Sequence, residues 1–282
     1  MKIIRTVAAL RASLAPARRA GRRIGLVPTM GFFHEGHLSL MRRARDECDE
    51  VVVSLFVNPT QFNENSDLAA YPRDEARDTE LAASTGADYL FAPSVEEIYP
   101  AGFSTSVHVS GVSEPLEGAH RGPTHFRGVA TVVAKLFAIA QPDVAYFGQK
   151  DAQQVLVVTR MVRDLDMPVH IEVCPTVREP DGLAMSSRNA RLSATERQQA
   201  LALKRGLDAA REAIIRGERD AGCVRMAGES AMRGLGVEPE YFAVADAESL
   251  APIDRVRGAV LLAVAARVGS VRLIDNERVD IQ

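Results

Sequence analysis

The 282-residue chain carries 34 lysines and arginines against 37 aspartates and glutamates, a formal charge of -3, and 46% hydrophobic residues. That balance supplies a substantial core, in one large domain or two moderate ones, and leaves no global basic field for nucleic acid or an anionic membrane. No apolar run approaches the ~20 residues that span a bilayer, and arginines interrupt the N-terminal stretch where a cleavable leader would be continuous, so a cytoplasmic protein is expected. Cys48, Cys174 and Cys223 lack CxxC spacing and read as reduced, buried thiols.

In chain order, short apolar runs bounded by turn signals fall at 24–27, 51–57, 89–92, 144–147 and 169–173, each the length of a buried strand. Helical spacing of apolar residues at 38–48, 73–84, 126–140 and 152–165 separates most of them. This alternation predicts a doubly wound parallel sheet, a Rossmann-like α/β nucleotide-binding domain whose ligands bind beyond the carboxyl ends of the strands. After Val177 the texture changes. Ser193 and Glu196 form a capping box opening an alanine-rich helix over 201–216, a second helix follows at 221–234, and strands are expected at 240–244, 260–265 and 271–274. Gly269-Ser270 is a tight-turn candidate between the last two. The predicted division is therefore 1–177 and a smaller C-terminal α+β domain, 178–282.

The unusual polar residues cluster just after the predicted strands. Pro28-Thr-Met-Gly-Phe-Phe-His34-Glu-Gly-His37 leaves the first buried strand and runs into a helix, placing backbone N–H groups and two imidazoles near one spot. Gly36 allows a phosphate to approach the backbone, and imidazoles can donate to oxygens whose charge grows when an α-phosphate is attacked. A zinc reading of His34 and His37 lacks HExxH spacing and a third ligand nearby in sequence. Gly148-Gln149-Lys150-Asp151 follows another strand, where lysine offsets phosphate charge and aspartate accepts from ribose hydroxyls; elsewhere such a pair is ordinarily a solvated surface pair. Met185-Ser186-Ser187-Arg188 offers two hydroxyls and a guanidinium to leaving phosphates, against the alternative of a polar interdomain loop. Gln61 and Gln154 suit a substrate with both carboxylate and hydroxyl groups.

Taken together, PTMG-x-x-HEGH, FVNPTQF, HFRGV, FG-x-KD-x-QQ and DGLAMSSRN resemble, in order and through nearly the whole chain, the pantothenate synthetase family. The resemblance implies a magnesium- and ATP-dependent ligase joining pantoate to β-alanine through a pantoyl adenylate, acting as a homodimer. It places ATP along Met30, Gly31, Phe32, Phe33, His34, Glu35, Gly36 and His37, with Gly148, Gln149, Lys150, Asp151, Val177, Met185, Ser186, Ser187 and Arg188. His37 takes the family's role of proton donor, with His34, Lys150 and Arg188 beside it in the chemistry. Gln61 and Gln154 would hold pantoate, Asn58 and Phe62 would shape its pocket, Arg121 and His125 would lie near the entry of β-alanine, and Asp78 would partner magnesium.

The sequence departs from the family at Gln149, where glutamate is usual, and in a 121–125 segment one residue longer than the common spacing. A hinge at 179–182, carrying Ser186, Ser187 and Arg188 over an adenylate that must be kept from water, is a further expectation. The same HxGH loop serves nucleotidylyltransferases that act on phosphorylated acceptors, but the paired glutamines favour a carboxylate substrate. It also serves aminoacyl-tRNA synthetases, whose RNA-reading segments this chain lacks, and a regulatory module that binds nucleotide without turnover would retain it too.

Overall fold

The computed structural model describes residues 1–62, 68–69 and 71–281. The chain forms two compact units, one of Met1–Gly148 with Gln153–Pro175, the other of Gln149–Ala152 with Thr176–Gln282. The 179–182 segment lies past the change of unit at Pro175. Within the second unit Arg197 donates to the Glu179 and Asp181 carboxylates of this segment at 2.7 and 2.9 Å.

In the first unit, strands β1 (Lys2–Ile4), β2 (Ile24–Thr29), β3 (Glu50–Leu55), β4 (Tyr89–Phe91), β5 (Val144–Gly148) and β6 (His170–Cys174) form one parallel sheet in the order β1-β4-β3-β2-β5-β6. Helices α1 (Val7–Arg19), α2 (Glu35–Glu47), α3 (Glu75–Ser84), α4 (Val95–Ile98), α5 (Glu117–Arg121), α6 (Pro123–Ala140) and α7 (Ala152–Asp164) accompany it. Successive strand residues face opposite sides, and here both sides are covered. Leu26, Val52, Ala145 and Phe147 join the core under α1, α6 and α7, while Val27, Val51, Val53, Val144 and Tyr146 join the core under α2. Two-sided burial is why these strands read as continuous apolar runs.

From β2 the sheet grows one way through β3 and β4, and the other way through β5 and β6. This is a topological switch point, where loops leaving neighbouring strands diverge and open a crevice. The carboxyl ends of β2 and β5 thus lead into Met30 and Gly148, the starts of two sequence-predicted site segments.

Strand β1 and helix α1 were not foreseen, nor were the short helices α4 and α5. Strand β1 buries only Ile4 of its three residues, and α1 hides its periodicity behind exposed arginines and an internal Pro16, although Leu10 and Leu14 are fully buried. The lengthened 121–125 segment is no loop: α5 ends at Arg121, Gly122 takes φ +78°, and Pro123 opens α6, putting His125 on that helix's first turn.

The second unit packs α8 (Ala194–Ile215) and α9 (Ala221–Arg233) on an antiparallel sheet of β7 (Pro239–Asp246), β8 (Ala259–Val268) and β9 (Val271–Asp280), in that order. Ser193 and Glu196 do form a capping box. Gly269, at φ +56°, and Ser270 make the two-residue turn that closes the β8–β9 ladder at Val268 and Val271.

Cys48 and Cys174 are buried, and burial pushes both thiols up, that of Cys174 to about 11; Cys223, expected to be buried, is exposed on α9. An alkylating reagent at mildly alkaline pH should therefore label Cys223 alone in the native protein and all three thiols after denaturation, read by intact mass. Native labelling of Cys174 would contradict this packing.

Candidate active site

The loop from β2 to α2 is built around a buried carboxylate. Gly31 at φ +87° and Phe32 at φ +53° turn the chain, and a Cβ on Gly31 would meet Leu55 Cδ1 at 2.5 Å and Asp78 Oδ2 at 2.9 Å. The Phe32 and Phe33 N–H groups donate to Asp78 Oδ2 and Oδ1 at 2.6 and 2.7 Å. Asp78, on α3, is 1% exposed; burial pushes its carboxyl up, and the Phe33 and Phe32 N–H groups pull it part of the way back. Both oxygens of Asp78, the residue expected to partner magnesium, accept backbone N–H groups of the loop. Asp78 thereby sets the course of the loop.

That course brings His34 to the N-cap of α2. Its Nδ1 accepts from Gly36 N–H at 3.2 Å, His37 Nδ1 accepts from His34 N–H at 3.4 Å, and the two rings lie 4.1 Å apart. A neutral imidazole that accepts at Nδ1 carries its proton on Nε2, so both rings are set as Nε2–H donors. The helix therefore begins at Glu35, three residues before the predicted start, with its first N–H groups and two imidazole donors concentrated at one end. Such an end suits an anion. Phe33 is buried under the loop, and the Arg77 guanidinium stands over the Phe32 ring at 5.4 Å.

The β3 exit is joined to this loop. Gln61 Nε2 donates to Met30 Sδ at 3.1 Å, Asn58 Nδ2 donates to Gln61 Oε1 at 3.1 Å and to Gly128 O at 3.1 Å, and His125 Nδ1 lies 2.8 Å from Gln61 O. Asn58, 1% exposed, also accepts from Tyr99 Oη at 2.8 Å, so it braces the turn that presents Gln61. Phe62 follows that turn and packs edge-on against Tyr71.

Gln154 is half-buried on α7. Its neighbour Gln153, which the sequence did not single out, is 6% exposed; it accepts from Glu117 N–H at 2.9 Å and donates to Val112 O and Pro115 O at 2.9 and 2.7 Å. It fastens the start of α5, whose far end carries Arg121, bonded from Nε to Glu117 Oε2 at 2.9 Å.

In the second unit, Gln149, Lys150 and Asp151 form a short 3-10 turn, with Lys150 Nζ 3.8 Å from the exposed Asp151 carboxylate. Val177 and Met185 face each other across a narrow hairpin, Met185 N–H donating to Val177 O at 3.0 Å. Ser186 then caps a 3-10 turn, Ser187–Arg191, its hydroxyl accepting from Arg188 N–H at 3.2 Å.

A helix end suited to an anion, at the switch point of a doubly wound sheet, marks the α/β class of nucleotide-binding folds. Residues 2–278 match the family model described as Pantoate-beta-alanine ligase. The chain is 56% identical over 277 residues to a pantothenate synthetase of Moorella thermoacetica and 55% identical over 275 residues to one of Cereibacter sphaeroides, spanning 97–98% of this chain and 98% of each relative. Among solved structures, pantothenate synthetase from Thermus thermophilus superposes with a TM-score of 0.93 at 49% identity, covering 98% of this chain and 99% of that one. The Francisella tularensis pantoate-beta-alanine ligase, solved with β,γ-ATP and β-alanine, gives 0.79 at 35% identity, covering 98% and 97%. The chain belongs to the pantoate–β-alanine ligase family.

Gly128 in the HFRGV motif lets α6 approach the Gln61 turn, since a Cβ there would meet Thr60 O at 2.5 Å and Gln61 N at 2.8 Å, both backbone atoms. Gly128→Ala should cost about 1–3 kcal/mol in denaturant unfolding as the turn is pushed aside. Unchanged stability would contradict the close approach.

Proposed function

We propose that this chain catalyses the ATP-dependent condensation of (R)-pantoate with β-alanine to pantothenate, AMP and pyrophosphate. The observation that carries the reading is the pair of imidazoles at the start of α2, each accepting a backbone N–H at Nδ1 and so presenting Nε2–H. Family membership supplies the substrates.

In the first step a pantoate carboxylate oxygen attacks the α-phosphorus of ATP, the bond to the bridging oxygen of the pyrophosphate breaks, and pantoyl adenylate forms. The His37 Nε2–H, with His34 beside it, donates to the non-bridging oxygens on which charge accumulates, a service worth most from preorganised donors. Lys150 and Arg188 neutralise the phosphates, and Ser186 and Ser187 donate to the departing pyrophosphate. Residues Met30 to His37, Gly148 to Asp151 and Val177 border the nucleotide, with Asp151 accepting from the ribose. In the second step the β-alanine amine attacks the acyl carbon, the C–O bond breaks, AMP leaves with that oxygen, and the amine gives up a proton. Gln61 and Gln154 orient pantoate, Asn58 and Phe62 shape its surroundings, and Arg121 and His125 receive β-alanine. The 178–282 region serves as the smaller C-terminal domain.

Magnesium fits as an ion carried in on the triphosphate, drawing its ligands mainly from phosphate oxygens and water. Asp78 is the residue proposed to lie toward it, and among the described residues no group of three or more His, Cys, Asp or Glu is arranged as a cage for it. When bound, it neutralises charge on the phosphates. We further infer a symmetric homodimer in the cytoplasm, consistent with the family, with the common symmetry of soluble oligomers, and with the lack of a described helix long and apolar enough to cross a membrane.

With ATP, magnesium and pantoate alone, the protein should release pyrophosphate, and adding β-alanine should then yield AMP and pantothenate. His37→Ala should lower kcat by about 10²–10³-fold with little change in folding. ATP binding without pantoate-dependent pyrophosphate release would overturn the reading in favour of a binding module.

A further inference from the structure

Strand β9 forms an edge of its sheet, and its alternation of buried and partly exposed residues breaks at one point, where Asp275 and Asn276, consecutive and polar, are only 3% and 5% exposed. Burying two polar side chains in succession is costly unless each is fully bonded. Both are, and their partners lead to the two phosphate-directed segments of the second unit.

Asn276 Nδ2 donates to Gln149 O at 3.0 Å and to Lys150 O at 2.8 Å, while its Oδ1 accepts from Gln149 Nε2 at 3.0 Å. Both amide hydrogens and the amide oxygen are thus used on the 149–151 turn, which has only three residues and no ladder of its own to hold it. Asp275 reaches the other segment. Arg178 Nη1 and Nη2 donate to its Oδ2 and Oδ1 at 2.7 and 3.1 Å, and Arg178 Nη1 also donates to Gly182 O at 3.1 Å. Arg178 lies in the hairpin that runs past Ala184 to Met185, and Asn189 closes its far side, donating to Glu179 Oε1 at 2.8 Å and Ala184 O at 3.0 Å. The two clamps are coupled, because Asn276 N–H donates to Asp275 Oδ1 at 2.8 Å.

We propose that Asp275 and Asn276 are positioning residues for nucleotide binding, two adjacent side chains of one strand that hold the Lys150 turn and the Met185–Arg188 segment in a single frame. This rests on the reading of those segments as phosphate-binding. The pairing of Gln149 with Asn276 is amide to amide, so no ionisation at position 149 disturbs it.

The test is ATP affinity, measured calorimetrically and so independent of turnover, alongside KM for ATP and for pantoate and the thermal midpoint. Asn276→Asp keeps the shape but turns an oxygen toward the Gln149 and Lys150 carbonyls in place of two donors. It should weaken ATP binding about ten- to a hundredfold, the scale of a misplaced binding group, while KM for pantoate stays within about twofold. Asn276→Ser, which keeps one hydroxyl donor in a smaller side chain and introduces no charge, should fall between Asn276→Asp and wild type. In a Lys150→Ala background the Asn276→Asp effect should largely vanish, as expected for residues acting through one another. Arg278→Ala, an exposed position on the same strand whose guanidinium pairs with Asp280, should change nothing.

ATP affinity within about twofold of wild type in folded Asn276→Asp or Asn276→Ser would overturn the proposal. So would a parallel loss of ATP affinity, pantoate KM and thermal midpoint, the mark of a purely structural role, and so would additivity with Lys150→Ala. A wild-type protein that binds ATP with this sensitivity to position 276 yet releases no pyrophosphate with pantoate would sink the ligase reading and leave the positioning role standing. A wild type that fails to bind ATP would sink both.

Discussion

Phe32 and Phe33 each give a backbone N–H to the Asp78 carboxylate, and the course of the β2–α2 loop follows from that contact. Phe32 holds φ +53°, a conformation that a bulky side chain adopts only when its surroundings over-determine it. Two short bonds to a buried carboxylate do so. A buried carboxylate is in turn tolerated only because it receives them. The loop they fix delivers His34 to the cap of α2, and the cap fixes the tautomers of both imidazoles. Sheet topology places this loop at the switch point, while Met30 and Gln61 connect it to the neighbouring exit from β3.

The second unit solves a similar problem with different means. The residues proposed to bind phosphate sit on short turns rather than on a long helix, so their placement comes from side chains reaching out of the sheet. Arg178, Asp275 and Asn276 form a chain of buried hydrogen bonds from the 178–185 hairpin to the Lys150 turn. Low local dielectric strengthens such a network and penalises any member left unpaired, which makes the arrangement rigid.

What could be read from the sequence follows from what is local. The parallel sheet was legible because two-sided burial writes unbroken apolar runs, and the C-terminal helices because Ser193 and Glu196 form a recognisable cap. Strand β1 and helix α1 were not, since three residues with one buried position and a helix interrupted by Pro16 carry little periodicity. The start of α2 was set three residues late because histidine is not among the common N-cap residues. Pro123 was a signal for the start of α6 that could have placed His125 on a helix. The roles of Asp78, Gln153 and Asn276 had no local signal. Each depends on a partner far along the chain, Lys150 and Asn276 being 126 residues apart, and composition does not say which way a carboxylate or an amide will face.

Direct attack of the pantoate carboxylate on the α-phosphorus is the step on which the assigned roles depend, and the fate of one oxygen atom tests it. Pantoate labelled with heavy oxygen in its carboxylate, turned over with ATP and β-alanine, should pass one labelled oxygen into AMP, detected by mass spectrometry. Label recovered in pyrophosphate with AMP unlabelled, or in inorganic phosphate alongside ADP, would mean that a different phosphorus is attacked, and the assignment of His34 and His37 to the transferring phosphate would be wrong.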